Sequence, residues 1–234
     1  MKVLPWLSTA RLIQFCGLWA VLVCTLITVL VWQNPKDRAT LLMADGLLLL
    51  WVLLGGWLNV RYRESVRVGF ARVPLRWQTK LVLFGIALAL LEEAITTSMT
   101  NLAPVFGVKM GEAFITASAN YIDVVCFHSV IVFIPWFIAW AVLLSYYDFP
   151  ASHVLLLFGI TGLLAETLSF GLQNLGNAGF WILVYGWMIY LPAYCIPANR
   201  GAKHPRWWMY PLAVLLPFVA LGITFLLAIP FAGY

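Results

Sequence analysis

Residues 81–101 read LVLFGIALALLEEAITTSMTN, and residues 155–174 read LLLFGITGLLAETLSFGLQN. Allowing a one-residue gap, both carry a leucine-rich start, Phe-Gly-Ile, Leu-Leu, a glutamate, a hydroxyl three residues later and an asparagine eight residues after the glutamate. The glutamates are Glu93 and Glu166, and the asparagines are Asn101 and Asn174. Each stretch is long and apolar enough to lie in a bilayer as a helix. A carboxylate inside a membrane helix is costly and by default marks a site. Two of them at matching positions of repeated helices predict one shared site in an all-α, polytopic membrane helix bundle.

The rest of the chain agrees. Of 234 residues, 63% are hydrophobic and 10% charged, and the mean hydropathy is +0.94. A soluble domain needs more charge than this to cover its surface. Residues 1–234 therefore read as a single integral membrane domain. The run from Leu12 to Trp32 is too long for a signal-peptide core and no small-x-small cleavage site follows it, so it reads as the first span. Cys16, Cys24, Cys126 and Cys195 are scattered through apolar runs without a CxxC pair. They read as small buried hydrophobes.

Seven apolar runs are long enough to cross, at about 12–32, 39–60, 81–99, 124–146, 154–172, 179–196 and 210–232. With the N-terminus in the cytoplasm, the inner segments carry Lys2, Arg11, Arg61, Arg63, Arg67, Arg72, Arg76, Lys80, Arg200, Lys203 and Arg206, and the outer ones carry Lys36, Arg38 and Lys109. Eleven against three satisfies the positive-inside rule. It predicts a plasma (inner) membrane protein with a cytoplasmic N-terminus and an outer C-terminus. Segment 61–80, RYRESVRVGFARVPLRWQTK, sets six basic residues against Glu64. It reads first as a topology anchor, and the partners expected are the bilayer and anionic lipid headgroups at 61–80; no nucleic acid is expected. Trp207, Trp208 and Tyr210 fit an interfacial aromatic belt.

Spans 3 and 5 run in the same direction, so the repeat is parallel and not inverted. IVFIPWFIAW at 131–140 aligns loosely with ILVYGWMIYL at 182–191. This extends the parallel internal repeat to helix pairs, spans 3–4 and 5–6, with an insertion after span 3. GITFLLA at 222–228 echoes GITGLLA at 159–165 but has no acid. From Gly111 the insertion has helical spacing, with Glu112, Thr116, Asn120 and Asp123 on one stripe. Residues 102–123 have three readings open: a lid, a re-entrant segment, or an extension of span 4. Pro135 is expected to kink span 4.

At 1.5 Å per residue, Glu92 and Glu93 lie roughly 17–18 Å from the cytoplasmic edge, Glu166 roughly 18 Å, and Asp45 about 9 Å below the outer edge. His128 sits one turn inside span 4. All five fall in the outer half of a core about 30 Å thick. Glu92, Thr96 and Thr100 follow one i, i+4 ridge, and Glu93, Thr97 and Asn101 follow the next. Such a face must meet other helices or water. Glu92 and Glu93 point about 100° apart, and the repeat nominates Glu93 as the primary group. The candidate centre is Glu93, Glu166 and His128, as catalytic groups or metal ligands. Asp45, Glu92, Thr97, Asn101 and Asn174 are supporting polar groups. His153 and His204, at cytoplasmic edges, read as surface groups.

Such a centre has three uses. Carboxylate with imidazole suits a divalent metal ion such as Zn, Fe or Mn, which makes a nucleophile of bound water. A buried carboxylate can itself act as general base. The acids can also bind and release protons or cations in a transport cycle. There is no HExxH, ExxH, GxSxG or phosphate-binding loop. Glu92-Glu93 followed by a histidine in a later helix resembles the CPBP intramembrane proteases, which include the CAAX-processing enzymes. In that family an EExxxR motif precedes a motif with Phe and His, then one with His and Asn or Asp. Here Thr97 stands in the Arg place, His128 follows Phe127 directly, and no later membrane histidine supplies the third motif. The resemblance covers two or three residues and implies a membrane hydrolase. The leading expectation is a membrane-embedded enzyme, a hydrolase acting on a lipid or membrane-borne substrate. The alternatives are a proton, cation or small-solute carrier, and a non-catalytic subunit whose acids seal helix contacts.

Overall fold

Residues 8–228 are described by a computed structural model, and every regular element among them is helical. Lys2 and the end of the expected 210–232 span lie outside the described residues. The helices are α1 (Thr9–Leu30), α2 (Pro35–Arg61), α3 (Arg63–Arg72), α4 (Trp77–Asn101), α5 (Tyr121–His128), α6 (Val130–Tyr146), α7 (Ala151–Phe170), α8 (Ala178–Tyr194) and α9 (Met209–Ala228). Helices α1, α2, α4, α7 and α9 are long and apolar enough to cross a membrane, and the bent pair α5–α6 makes a sixth. Helix α8 has 17 residues, a rise of about 25 Å.

Local chemistry sets the ends. Ser8 caps α1 by accepting from the Arg11 N–H at 3.3 Å. Asn34 caps α2 ahead of Pro35, accepting from the N–H groups of Lys36 and Asp37, and proline at the first helical position lacks an N–H that would be an orphan there. Gly171, at φ +106°, stops α7. The chain then makes a single 3₁₀ stretch, Leu172–Asn177, before α8.

Three expectations need correction. The bend in span 4 is 47° and lies at Ser129, not at Pro135. The π-helical stretch Val124–His128 ends there, with the Ser129 N–H donating five residues back to the Val124 carbonyl at 2.9 Å. This is the wide hydrogen-bond pattern that breaks helices. Pro135 stays inside α6. Second, residues 102–120 form no helix; they fold as a run of turns with Gly107 and Gly111 both at φ +88°. Two left-handed positions interrupt any helical spacing. Third, His153 is not a surface group. Its ring nitrogens face the hydroxyls of Tyr210 and Thr9, each at 3.1 Å, joining the first turns of α1, α7 and α9.

Helix α8 sits at the centre, packed on α7, α1, α4 and the middle of α2. Its contact with α7 is very close: a methyl at Gly159 would lie 2.2 Å from the Ile182 carbonyl oxygen. Small residues let membrane helices approach in this way. Trp51, Trp136, Trp140, Phe137 and Phe158 fill the interior, and Phe137 stacks on Phe158 at 5.4 Å. Cys24 and Cys195 are buried as expected, whereas Cys126 is exposed.

The basic segments gather at one end. Arg200 pairs with Asp148 at 2.6 Å and donates to the Leu144 carbonyl. Lys80 donates to the Phe70 and Val73 carbonyls at 2.7 and 3.2 Å. Glu64 accepts from Tyr194 and pairs with Arg67. These contacts hold the Glu64 carboxyl below its ordinary range, the tyrosine bond first and the arginines after it.

Candidate functional site

One turn of α4 and one of α7 supply the carboxylates. Glu92 and Glu93 are both buried. Glu166 is partly buried one turn before α7 ends. The three lie within electrostatic reach of one another and of Tyr185 on α8. Glu92, Glu93 and Glu166 thus face one region between α4, α7 and α8.

Each carboxylate has different surroundings. Glu92 accepts from the Thr96 hydroxyl at 2.9 Å within its own helix. Glu93 accepts from Thr116 of the 102–120 segment at 3.5 Å and also faces the Ser129 hydroxyl at the helix break. Glu166 accepts from the Tyr185 hydroxyl. The Tyr185 ring is held by Phe133, Trp136 and Trp181, with ring centroids 5.8 to 6.5 Å away. It passes α7 at Gly162, where an added methyl would come within 2.1 Å of the ring. Thr97, one turn beyond Glu93, is buried, and its hydroxyl has no hydrogen-bond partner among the described residues.

The segment 102–120 covers this place. Thr116 reaches Glu93, the Ile115 N–H donates to Thr100 at 3.4 Å, and Asn101 donates to the Ala119 carbonyl at 3.0 Å. Its own small core joins Ala103, Val108 and Ala113 to Ala39 and Met43 of α2. Glu112 accepts from the Lys109 N–H at 2.8 Å and pairs with Lys36 at 3.6 Å. Those two contacts, the backbone N–H first, hold the Glu112 carboxyl below its ordinary range. Tyr121, just past the segment, donates to the Leu90 carbonyl at 2.9 Å. Of the three forms open to 102–123, the folded cover fits most of it, and 121–123 begin α5.

Other expected residues fall elsewhere. His128 is exposed and its Nε2 lies 3.6 Å from Asp123. The π-helical stretch turns it away from the carboxylates. Among the described residues no three His, Cys, Asp or Glu side chains are grouped as a metal ion would need. The set Glu93, Glu166 and His128 is thus not assembled as a ligand shell. Asp45 accepts from Thr28 at 3.0 Å in a separate polar group between α1 and α2. Asn101 and Asn174 brace the ends of α4 and α7. Asn101 donates to the Thr97 carbonyl at 3.0 Å, and Asn174 to the Glu166 and Gly171 carbonyls, both at 3.2 Å. Trp181 fixes Asn174 through its indole N–H at 3.1 Å.

Sequence reasoning missed Tyr185, Thr116 and Ser129, and it ranked Glu93 above Glu92. One signal for the ranking was present. Gly85 to Glu92 and Gly159 to Glu166 are both seven residues, two helical turns. Helices α4 and α7 are each unbroken, so a one-residue gap would rotate the face by about 100°. The ungapped register matches Glu92 with Glu166. Tyr185 carried no signal, because its role depends on which face of α8 meets Gly162.

No family model matches the chain, and neither does a curated protein or a solved structure.

Proposed function

We propose that the chain is a membrane-embedded hydrolase using paired carboxylates as acid and base on a lipid or other membrane-borne substrate. The observation that carries this reading is that Glu92, Glu93 and Glu166 lie within electrostatic reach of the Tyr185 phenol, which donates to Glu166, while Thr116 of the 102–120 segment donates to Glu93. Sites that separate an acid from a base do so by giving chemically identical groups different surroundings. Here one carboxylate is held by a phenol, one by two hydroxyls and one by its own helix. One carboxylate takes a proton from water as the water oxygen attacks the scissile centre. Another carboxyl gives its proton to the leaving group. The partnerless Thr97 hydroxyl is placed to meet a polar group of the substrate, since buried polar groups are normally satisfied.

The frame for this reading has seven crossings, with α8 as one of them and α4–α6 and α7–α8 as the parallel repeat. The end bearing 61–80 and 200–206 faces the cytoplasm of a plasma membrane protein, and the acids lie toward the outer face. The second reading is a proton carrier. It is favoured by one fact: among the described residues no Lys, Arg or His pairs with these three acids.

One experiment separates the two. Protein in nanodiscs is incubated with membrane lipids and with a membrane peptide in heavy-oxygen water, and products are analysed by mass. Labelled product should form. Glu93→Gln and Glu166→Gln should each lower its rate about 100-fold or more while the melting temperature holds. Absence of labelled product, together with acid-driven uptake into proteoliposomes that both substitutions abolish, would overturn the hydrolase in favour of the carrier.

A further inference from the structure

At the basic end, remote from the acids, α3 and the first turns of α4 flank a groove, with the Phe70 and Phe84 ring centroids 6.4 Å apart. The groove measures about 430 Å³ and is lined by Val66, Gly69, Phe70, Leu83 and Phe84, with Lys80 in its wall. That is within the range of small-ligand sites, about 300–1,000 Å³. Its walls are apolar, and Leu83 is 52% exposed on the side where lipid would lie. Lys80 is fixed there, with its ammonium 4.6 Å from the Phe70 ring centroid and two of its contacts spent on the Phe70 and Val73 carbonyls. An ammonium has three donors, so one is free to point outward.

The surrounding charge is uncompensated. Glu64, the acid of segment 61–80, is engaged by Arg67 and Tyr194. Arg72 and Arg76 are exposed and meet no acid within ion-pair distance among the described residues. An apolar channel with Lys80 in its wall, and with Arg72 and Arg76 next in the chain to its lining residues Val73 and Leu75, matches one occupant. We propose that this groove binds a single anionic phospholipid, its acyl chain between α3 and α4 and its phosphate against Lys80, Arg72 and Arg76. This gives segment 61–80 a site, beyond the diffuse attraction of a basic loop to headgroups.

Gly69 supplies a clean test. Its position opens on the groove, with nothing within 4 Å of an added methyl. Leucine there starts from open space, reaches into the channel and raises helix propensity, so loss of lipid is not explained by loss of α3. The protein is exchanged into nanodiscs of phosphatidylcholine and phosphatidylglycerol in equal parts, and retained lipids are counted by native mass spectrometry. We expect one phosphatidylglycerol retained in preference to phosphatidylcholine. Gly69→Leu should abolish retention of both. The pair Arg72→Gln and Arg76→Gln should lower the anionic preference by about fivefold per arginine and leave acyl-chain retention in place. Equal retention of the two lipids by the unmodified protein, or unchanged retention in Gly69→Leu, overturns the proposal.

Discussion

Tyr185 donates to Glu166 across an approach that any side chain at position 162 would close. Gly162→Ala would push the ring away, and overpacking of this kind costs about 1–3 kcal/mol. We expect a clear fall in melting temperature and loss of activity together. Tyr185→Phe keeps the ring among Phe133, Trp136 and Trp181 and removes the donor alone. It should cost about 1 kcal/mol of stability yet lower hydrolysis about 10-fold or more, as read by the heavy-oxygen assay. Equal effects on stability and activity would reduce Tyr185 to a packing residue. Asn101 and Asn174 show what a repeated polar letter can mean. Both donate to a carbonyl in the last turns of a helix, so the echo in the sequence recorded shared architecture more than shared chemistry.

The segment between α4 and α5 is the element with most to do. It ties Glu93, Thr100 and Asn101 to one cover and is pinned to α2 by Glu112 and Lys36. The Glu112 carboxyl sits below its ordinary range. A depressed folded value contributes stability above the unfolded value and loses it as pH falls through the folded one. Hydrogen exchange over 102–120 should therefore accelerate as pH falls through the depressed Glu112 value, after correction for intrinsic rates. Glu112→Gln should show the faster exchange at neutral pH and little further change on acidification. A flat profile in the unmodified protein would exclude this anchor. The break at Ser129 is the second decisive element. It swings His128 out toward Asp123 and brings the Ser129 hydroxyl to Glu93. A straight helix through this point would not place both in those positions.

At the scale of the bundle, contacts among Thr9, His153 and Tyr210 set the first turns of α1, α7 and α9 side by side. Segments 61–80 and 195–206 lie at that same end. Single cysteines placed at Arg72 and Phe114, in a background with Cys126 replaced by serine, test the orientation. The cysteine at 114 should react with an impermeant thiol reagent on intact cells, and the one at 72 only after permeabilisation. The reverse pattern would invert the protein in the membrane and move the acids to the inner leaflet.

The helical class, the long apolar spans and the presence of carboxylates within them at 93 and 166 were all legible in the amino-acid order. Each depends on local quantities: hydropathy over about twenty residues, and the cost of placing a carboxylate within such a run. The surroundings of those carboxylates were not legible. Tyr185 donates to Glu166, Thr116 and Ser129 face Glu93, and His128 turns toward Asp123 instead. Whether two side chains meet depends on helix rotation, at 100° per residue, and on how closely neighbouring axes approach. Those are set by Gly159 and Gly162 against α8, by the π-helical break before α6, and by two left-handed glycines in a loop. Such relations hold between distant segments, and they exist only once the helices are packed.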